Sequence, residues 1–194
     1  MTHRLFQRCF RILVDTVLSI LLTHLSTTDP ITPQDHDDGS AYYDDYSNFL
    51  VYAGTKNYLG DTKKIHGNVI IQPDVGRSLT PFCHQEASDW TMEPTKPFGE
   101  YFFDNICVMR TRGSMMSASC DPSSKLPLRS MMAITVNNTY YSTAGPAAME
   151  LCGWDNGTAW PKLQAGGMEN GSRVDMQLPA TAEVIAWGRV ALGV

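Results

Sequence analysis

Apolar residues along the chain come in short runs, and the clearest runs each follow an asparagine. Phe49-Leu50-Val51-Tyr52 follows Asn48, and Val69-Ile70-Ile71 follows Asn68. Gly54, Asn57, Gly60, Asp61 and Gly67 lie between them, a dense set of turn formers. The runs are too short for helices and rich in β-branched and aromatic residues, which predicts strands. The unit recurs where Asn105 precedes Ile106-Cys107-Val108-Met109 and Asn138 precedes Thr139-Tyr140-Tyr141. Successive asparagines are 20, 37 and 33 residues apart. An imperfect repeat of one short strand each predicts a solenoid, in which coils stack and equivalent side chains form ladders. An inward asparagine at each turn would satisfy backbone groups of the neighbouring coil. A β-sandwich whose strands begin after a common turn residue fits the same spacing and stays open.

The same pattern supplies the other elements. Glu100 to Phe103, Met131 to Val136 and Thr139 to Thr143 read as strands, with a corner at Asn137-Asn138. Residues 75–97 carry few apolar runs and read as an inserted loop, pinned by Cys83. Residues 113–130 read as a turn-rich connection, and 153–172 as a Gly-rich polar stretch. Near the end, Val184, Ile185, Trp187, Val190 and Ala191 fall at helical spacing behind Thr181 as N-cap. A helix there would cover the open end of a solenoid; a last strand is the alternative, since Gly188 weakens a helix. Residues 1–25 combine Arg4, Arg8 and Arg11 with a following apolar stretch, as a signal peptide does; an amphipathic helix or a wrong start is the alternative. Residues 26–34 read as a linker. The expected organisation is a leader and linker over 1–34, a β body over 35–180 and a terminal helix over 181–194.

Composition narrows the partners. A chain of 194 residues carries one good core, and a net charge of −5 argues against a nucleic-acid partner. Of five cysteines, Cys83, Cys107, Cys120 and Cys152 make an even set with three connectivities. Cys120–Cys152 is the favoured pair, and Cys107, inside a strand-like run, reads equally as a buried thiol. No CxxC pair supports a zinc site. Sequons at Asn137, Asn156 and Asn170 point toward secretion as a glycoprotein. With Asn138 inward, Asn137 faces solvent. A membrane association is expected only if the N-terminal segment is an uncleaved anchor, and the protein is expected to be a monomer.

Carbohydrate chemistry suits several of these residues. Removing the proton α to a uronate carboxylate needs a base and a cation, and Lys56, Lys63, Lys64, Arg77 and His66 would line one groove of a solenoid. Isolated lysines are more often solvated loop charge. Tyr42, Tyr43, Tyr46, Trp90 and Trp154 are candidates to stack on sugar rings. No cofactor is expected; calcium alone is a candidate, at Asp35, Asp37 and Asp38 or at Asp44 and Asp45.

The segments DDGSAYYDDYSNFLVY, NYLGDTKKIHGNVI, EYFFDNICVM, ITVNNTYYSTAG and LQAGGMENGS with LPATAEVIAWGRVAL resemble the C-terminal portion of right-handed parallel β-helix proteins of the pectin-lyase-like superfamily. The resemblance covers about residues 35–194 and rests on repeat style. It implies a secreted protein that binds a polysaccharide in a groove along one face, and a chain with fewer coils than is usual. Polygalacturonase-type members carry an Asp-Asp pair and a later His-Gly pair, which Asp37-Asp38 and His66-Gly67 echo. Turn acids ahead of Gly39 are the plainer reading of the first pair. The expectation is therefore an all-β right-handed parallel β-helix with long loops and a C-terminal capping helix. Its expected function is a lyase or glycoside hydrolase on an acidic polysaccharide, with Asp37, Asp38, His66 and Lys63 catalytic and Lys56, Lys64, Tyr42 and Arg77 binding substrate. A non-catalytic glycan-binding or structural solenoid is the alternative.

Overall fold

The computed structural model describes residues 34–36, 41–58, 62–72, 82–87, 99–110, 114–119, 132–151 and 157–193. Every strand pairing among them is parallel, in three sheets that the chain visits in rotation. Sheet I has the order β1 (Gln34–His36), β4 (Thr55–Tyr58), β7 (Phe82–Ala87), β10 (Ser114–Ser119), β13 (Met149–Leu151). Sheet II is β2 (Asp44–Tyr46), β5 (Lys64–His66), β8 (Tyr101–Phe103), β11 (Ile134–Val136). Sheet III is β3 (Phe49–Val51), β6 (Val69–Gln72), β9 (Ile106–Met109), β12 (Thr139–Ser142), β14 (Arg173–Asp175). From β1 to β10 each strand therefore pairs with the strand three places later, so that one strand in each sheet makes one circuit of the chain; in the last circuit β12 pairs with β14. The fold is mostly β, and its stacked parallel strands are compatible with a solenoid.

The corner between sheets II and III explains the repeat. Ser47, Gly67, Asp104, Asn137 and Gly171 all have φ between 54° and 73°. The residue after each is Asn48, Asn68, Asn105, Asn138 or Ser172. The left-handed residue swings the chain through the corner, and small polar residues or glycine tolerate that conformation best. At the last corner a Cβ on Gly171 would also press on the Asn137 side chain.

The turn places each asparagine inward. Asn68, Asn105 and Asn138 are buried, and they stack as a ladder. Asn48 N–H donates to Asn68 Oδ1 at 2.9 Å, Asn68 N–H to Asn105 Oδ1 at 3.0 Å and Asn105 N–H to Asn138 Oδ1 at 3.0 Å. Ser172 Oγ ends the series by accepting from Asn138 N–H at 2.8 Å. The amide nitrogens of Asn68, Asn105 and Asn138 donate in turn to the carbonyls of Asp45, Ile65 and Phe102. Backbone groups that the corner would otherwise leave unpaired are thereby satisfied.

Sheet III is buried on both faces, which is why its strands read as continuous apolar runs. Leu50, Ile70, Cys107, Tyr140 and Val174 face the interior cluster. Phe49, Val51, Val69, Ile71, Ile106, Val108 and Tyr141 form a second cluster on the outer face, under helix α2 (Thr181–Ala191). Val184 and Trp187 enter that cluster, and the Trp187 ring stacks on Tyr141 at 5.7 Å. Gly188 fits directly against the Phe49 ring, where a Cβ would sit 2.9 Å from it. The terminal segment is thus a helix, as its spacing predicts, but it covers a face of the stack rather than an end. Ala180, not Thr181, occupies its N-cap position, and Val190 faces solvent.

Helix α1 (Ala159–Ala165), in the stretch expected to be polar loop, lies at the C-terminal end of the interior instead. Its Ala159 and Leu163, with Met168, join the interior cluster beside Met149 and Leu151. Sheet I corrects the sequence reading most. β4, β7 and β10 lie in stretches expected to be turns or loop. Cys83 does pin its segment, through a disulfide to Cys107 that ties sheet I to sheet III across the interior, with Cα atoms 6.0 Å apart. Cys107 is therefore not a free thiol. Cys120 and Cys152, the favoured pair, lie outside the described residues.

Candidate functional site on the outer face of sheet II

Alternation along a strand decides which side chains of sheet II face out. Asp45, Ile65, Phe102 and Thr135 form the inward column. Two outward columns flank it: Asp44, Lys64, Tyr101 and Ile134, then Tyr46, His66, Phe103 and Val136. The rings of the second column stack along it. Tyr46 and His66 are 5.4 Å apart and His66 and Phe103 4.6 Å apart, both pairs close to parallel. Their faces are turned to one another, so the stack presents ring edges to solvent. Tyr46 is 58% exposed.

Asp44 reaches diagonally to this stack. Its Oδ1 lies 2.8 Å from His66 Nε2, with the carboxylate 57% and the imidazole 28% exposed. A carboxylate at that distance holds the imidazole with its proton on Nε2, which leaves the lone pair on Nδ1. Lys64 is exposed on the same face, in register with Asp44. Tyr42, 81% exposed, and Tyr43, 46% exposed, stand at the turn ahead of β2. Chemically the face offers an oriented base, an exposed cation, ring edges and phenol groups on one accessible strip.

The structure brings some predicted residues together and separates others. His66 and Lys64 share the outer face of sheet II, with Tyr42 at its edge. Lys63 does not join them, because the turn before β5 points it inward, where it is 1% exposed with Nζ 3.1 Å from Glu100 Oε1. Lys56 lies on β4 in sheet I, in register with Gln85, so the lysines do not line one groove. Asp37, Asp38 and Arg77 lie outside the described residues, as does the sequon asparagine Asn156. Asn137 and Asn170 are exposed. Among the described residues no group of three or more His, Cys, Asp or Glu is placed to hold a metal ion.

Lys63 belongs to a second polar group, inside the stack. Thr55 Oγ1 is 2.7 Å from His84 Nδ1, and His84 Nε2 is 2.6 Å from Glu86 Oε1. The Asn57 amide nitrogen donates to both Glu86 oxygens, at 3.3 and 3.2 Å, and to Glu100 Oε2 at 2.8 Å. Phe102 stacks on the His84 ring at 4.2 Å. All six polar residues are buried. Burial above all, and then the charge of Glu86, raises the Glu100 carboxyl to a pKa of about 7, against the opposing pull of Lys63 and Asn57. At the other end of the interior, burial likewise raises the Glu169 carboxyl, whose Oε1 accepts from the Tyr140 hydroxyl at 2.8 Å.

Asp44 is the functional candidate that sequence reading misses as a partner of His66. Superposing Asn48 on Asn68 sets Tyr46 beside His66 and Asp44 beside Lys64, so the signal is present in the repeat. Comparison with protein-family models, with curated proteins and with solved structures finds no match to this chain.

Proposed function

We propose that the chain is a secreted right-handed parallel β-helix of the pectin-lyase-like type, and that the outer face of sheet II binds and cleaves an acidic polysaccharide by elimination. The observation that carries this reading is the Asp44–His66 contact at 2.8 Å beside the exposed Lys64. In the reaction, His66 Nδ1 takes the proton α to a uronate carboxylate. Lys64 holds that carboxylate while negative charge moves onto it. The electron pair forms a carbon–carbon double bond and expels the glycosidic oxygen, which takes its proton from solvent. Asp44 keeps Nε2 protonated and stabilises the imidazolium that results. The buried Cys83–Cys107 disulfide supports an oxidising compartment. Right-handed winding follows from the twist of strands joined by parallel crossovers.

Incubation with polygalacturonate, alginate and a neutral glucan tests the reading. Unsaturated product is expected from an acidic polymer alone, and His66→Ala is expected to lower its rate at least about 100-fold, the scale of a lost general base. Lys64→Ala is expected to lower kcat as well as raise KM, because the charge it holds grows in the transition state. Absence of product from every acidic polymer overturns the catalytic reading. The exposure of Tyr42, Tyr43 and Tyr46 favours a second reading, saccharide binding without cleavage. Binding to one of these polymers without product formation would establish it, with Tyr46→Ala expected to weaken that binding.

A further inference from the structure

We propose that the polar group inside the first circuits is a proton-operated switch, which holds sheets I and II together in mildly acidic solution and weakens them in alkaline solution. The placement of two buried carboxyl groups leads to it. Asn57 uses one amide nitrogen to bind both Glu86 and Glu100, which brings two carboxyl groups into one water-poor space. His84 Nε2 lies 2.6 Å from Glu86 Oε1, and Thr55 Oγ1, which donates to Cys83 O, lies 2.7 Å from Nδ1. Two carboxylates held so close away from water repel each other, and a proton on one of them removes the repulsion.

Glu100 is where that proton goes. Among the described residues, Asn57 from β4, Glu86 from β7 and Lys63 from the turn before β5 act on it directly, and His84, with Thr55 and the Phe102 ring against it, backs Glu86. In β1, His36 stands in register with Asn57. The next circuit places Ala133 at the position equivalent to Glu100, so nothing charged follows it in that column. Uptake turns Glu100 from a second negative charge beside Glu86 into a neutral acid. Its release restores the repulsion at a point where Lys63 O and Glu100 O accept the backbone bonds from Tyr101 and Ile134 that join β5, β8 and β11.

The sign follows from linkage. A carboxyl that holds its proton to about pH 7 in the folded chain, against an ordinary value of 4.5, makes the fold less stable as pH rises between those values. The unfolding equilibrium constant is expected to rise roughly 10- to 100-fold from about pH 5 to about pH 8 through this group. The switch does not depend on what the outer face of sheet II binds.

Two measurements test it. Carboxyl-carbon NMR of the wild-type protein is expected to show Glu100 titrating near neutrality. Chemical unfolding at both pH values is expected to show a smaller pH slope for Glu100→Gln than for the wild type, since the amide mimics the neutral acid. Glu169, at the far end of the interior, contributes a slope of the same sign to both proteins, so the difference isolates Glu100. A Glu100 midpoint near 4.5, or an unchanged slope in Glu100→Gln, overturns the proposal. If that variant does not fold, the wild-type titration decides alone.

Discussion

Asn105 makes contacts that no other residue type of similar size reproduces. Its Oδ1 accepts from Asn68 N–H, its Nδ2 donates to Ile65 O, and its own N–H reaches Asn138 Oδ1. Asn105→Ala leaves the Asn68 N–H buried without its acceptor and takes a donor from the Ile65 carbonyl. The expected loss is about 1–3 kcal/mol, the cost of one orphaned buried group. Asn48→Ala, at the half-buried end of the ladder, is expected to cost about 1 kcal/mol or less. Denaturant unfolding of the two variants checks the order. At this scale the sequence is most legible, because the asparagine after each corner both satisfies the turn and visibly marks it. Asp44 was harder to assign. Its partner His66 is 22 residues away, and only the stacking of circuits sets them side by side.

Legibility differs from element to element for a physical reason. Sheet III is covered on both faces, so Phe49-Leu50-Val51 and Val69-Ile70-Ile71 are apolar throughout and stand out. Sheet I turns Thr55, Asn57, His84 and Glu86 inward in its first strands, and these polar residues read as loop. Their burial is tolerated because most of their polar atoms bond one another, and no local pattern reveals that. The helix at the end was legible in its period but not in its place. Gly188 looks like a defect in a helix, yet it is the point of closest approach to Phe49. Gly188→Leu is expected to lower stability by about 1–3 kcal/mol through overpacking, although leucine is the better helix former. Unfolding curves, with Trp187 fluorescence as a probe of helix docking, would show it.

Across the whole molecule, the long insertions between circuits leave the stack dependent on ties between sheets. The Cys83–Cys107 bond is one, and both residues are fully buried. Replacing both with alanine is expected to cost about 3 kcal/mol, mainly by freeing the unfolded chain. Reductant added to the native protein is expected to act slowly, because access to the sulfurs requires opening of the stack. A thiol assay with and without denaturant distinguishes the two conditions.

The sequence by itself determined the repeat: asparagine-led strands, turned by residues that accept a left-handed backbone, with β-branched side chains to fill the layer they enter. Such features act over a few residues and leave a local trace. Tertiary structure alone decided that α2 covers a face, that α1 packs at the end of the interior, that Lys63 points inward and that Asp44 meets His66. Each of these is a contact between circuits, fixed by how the insertions return the chain to register, and that return is a property of the stacked whole.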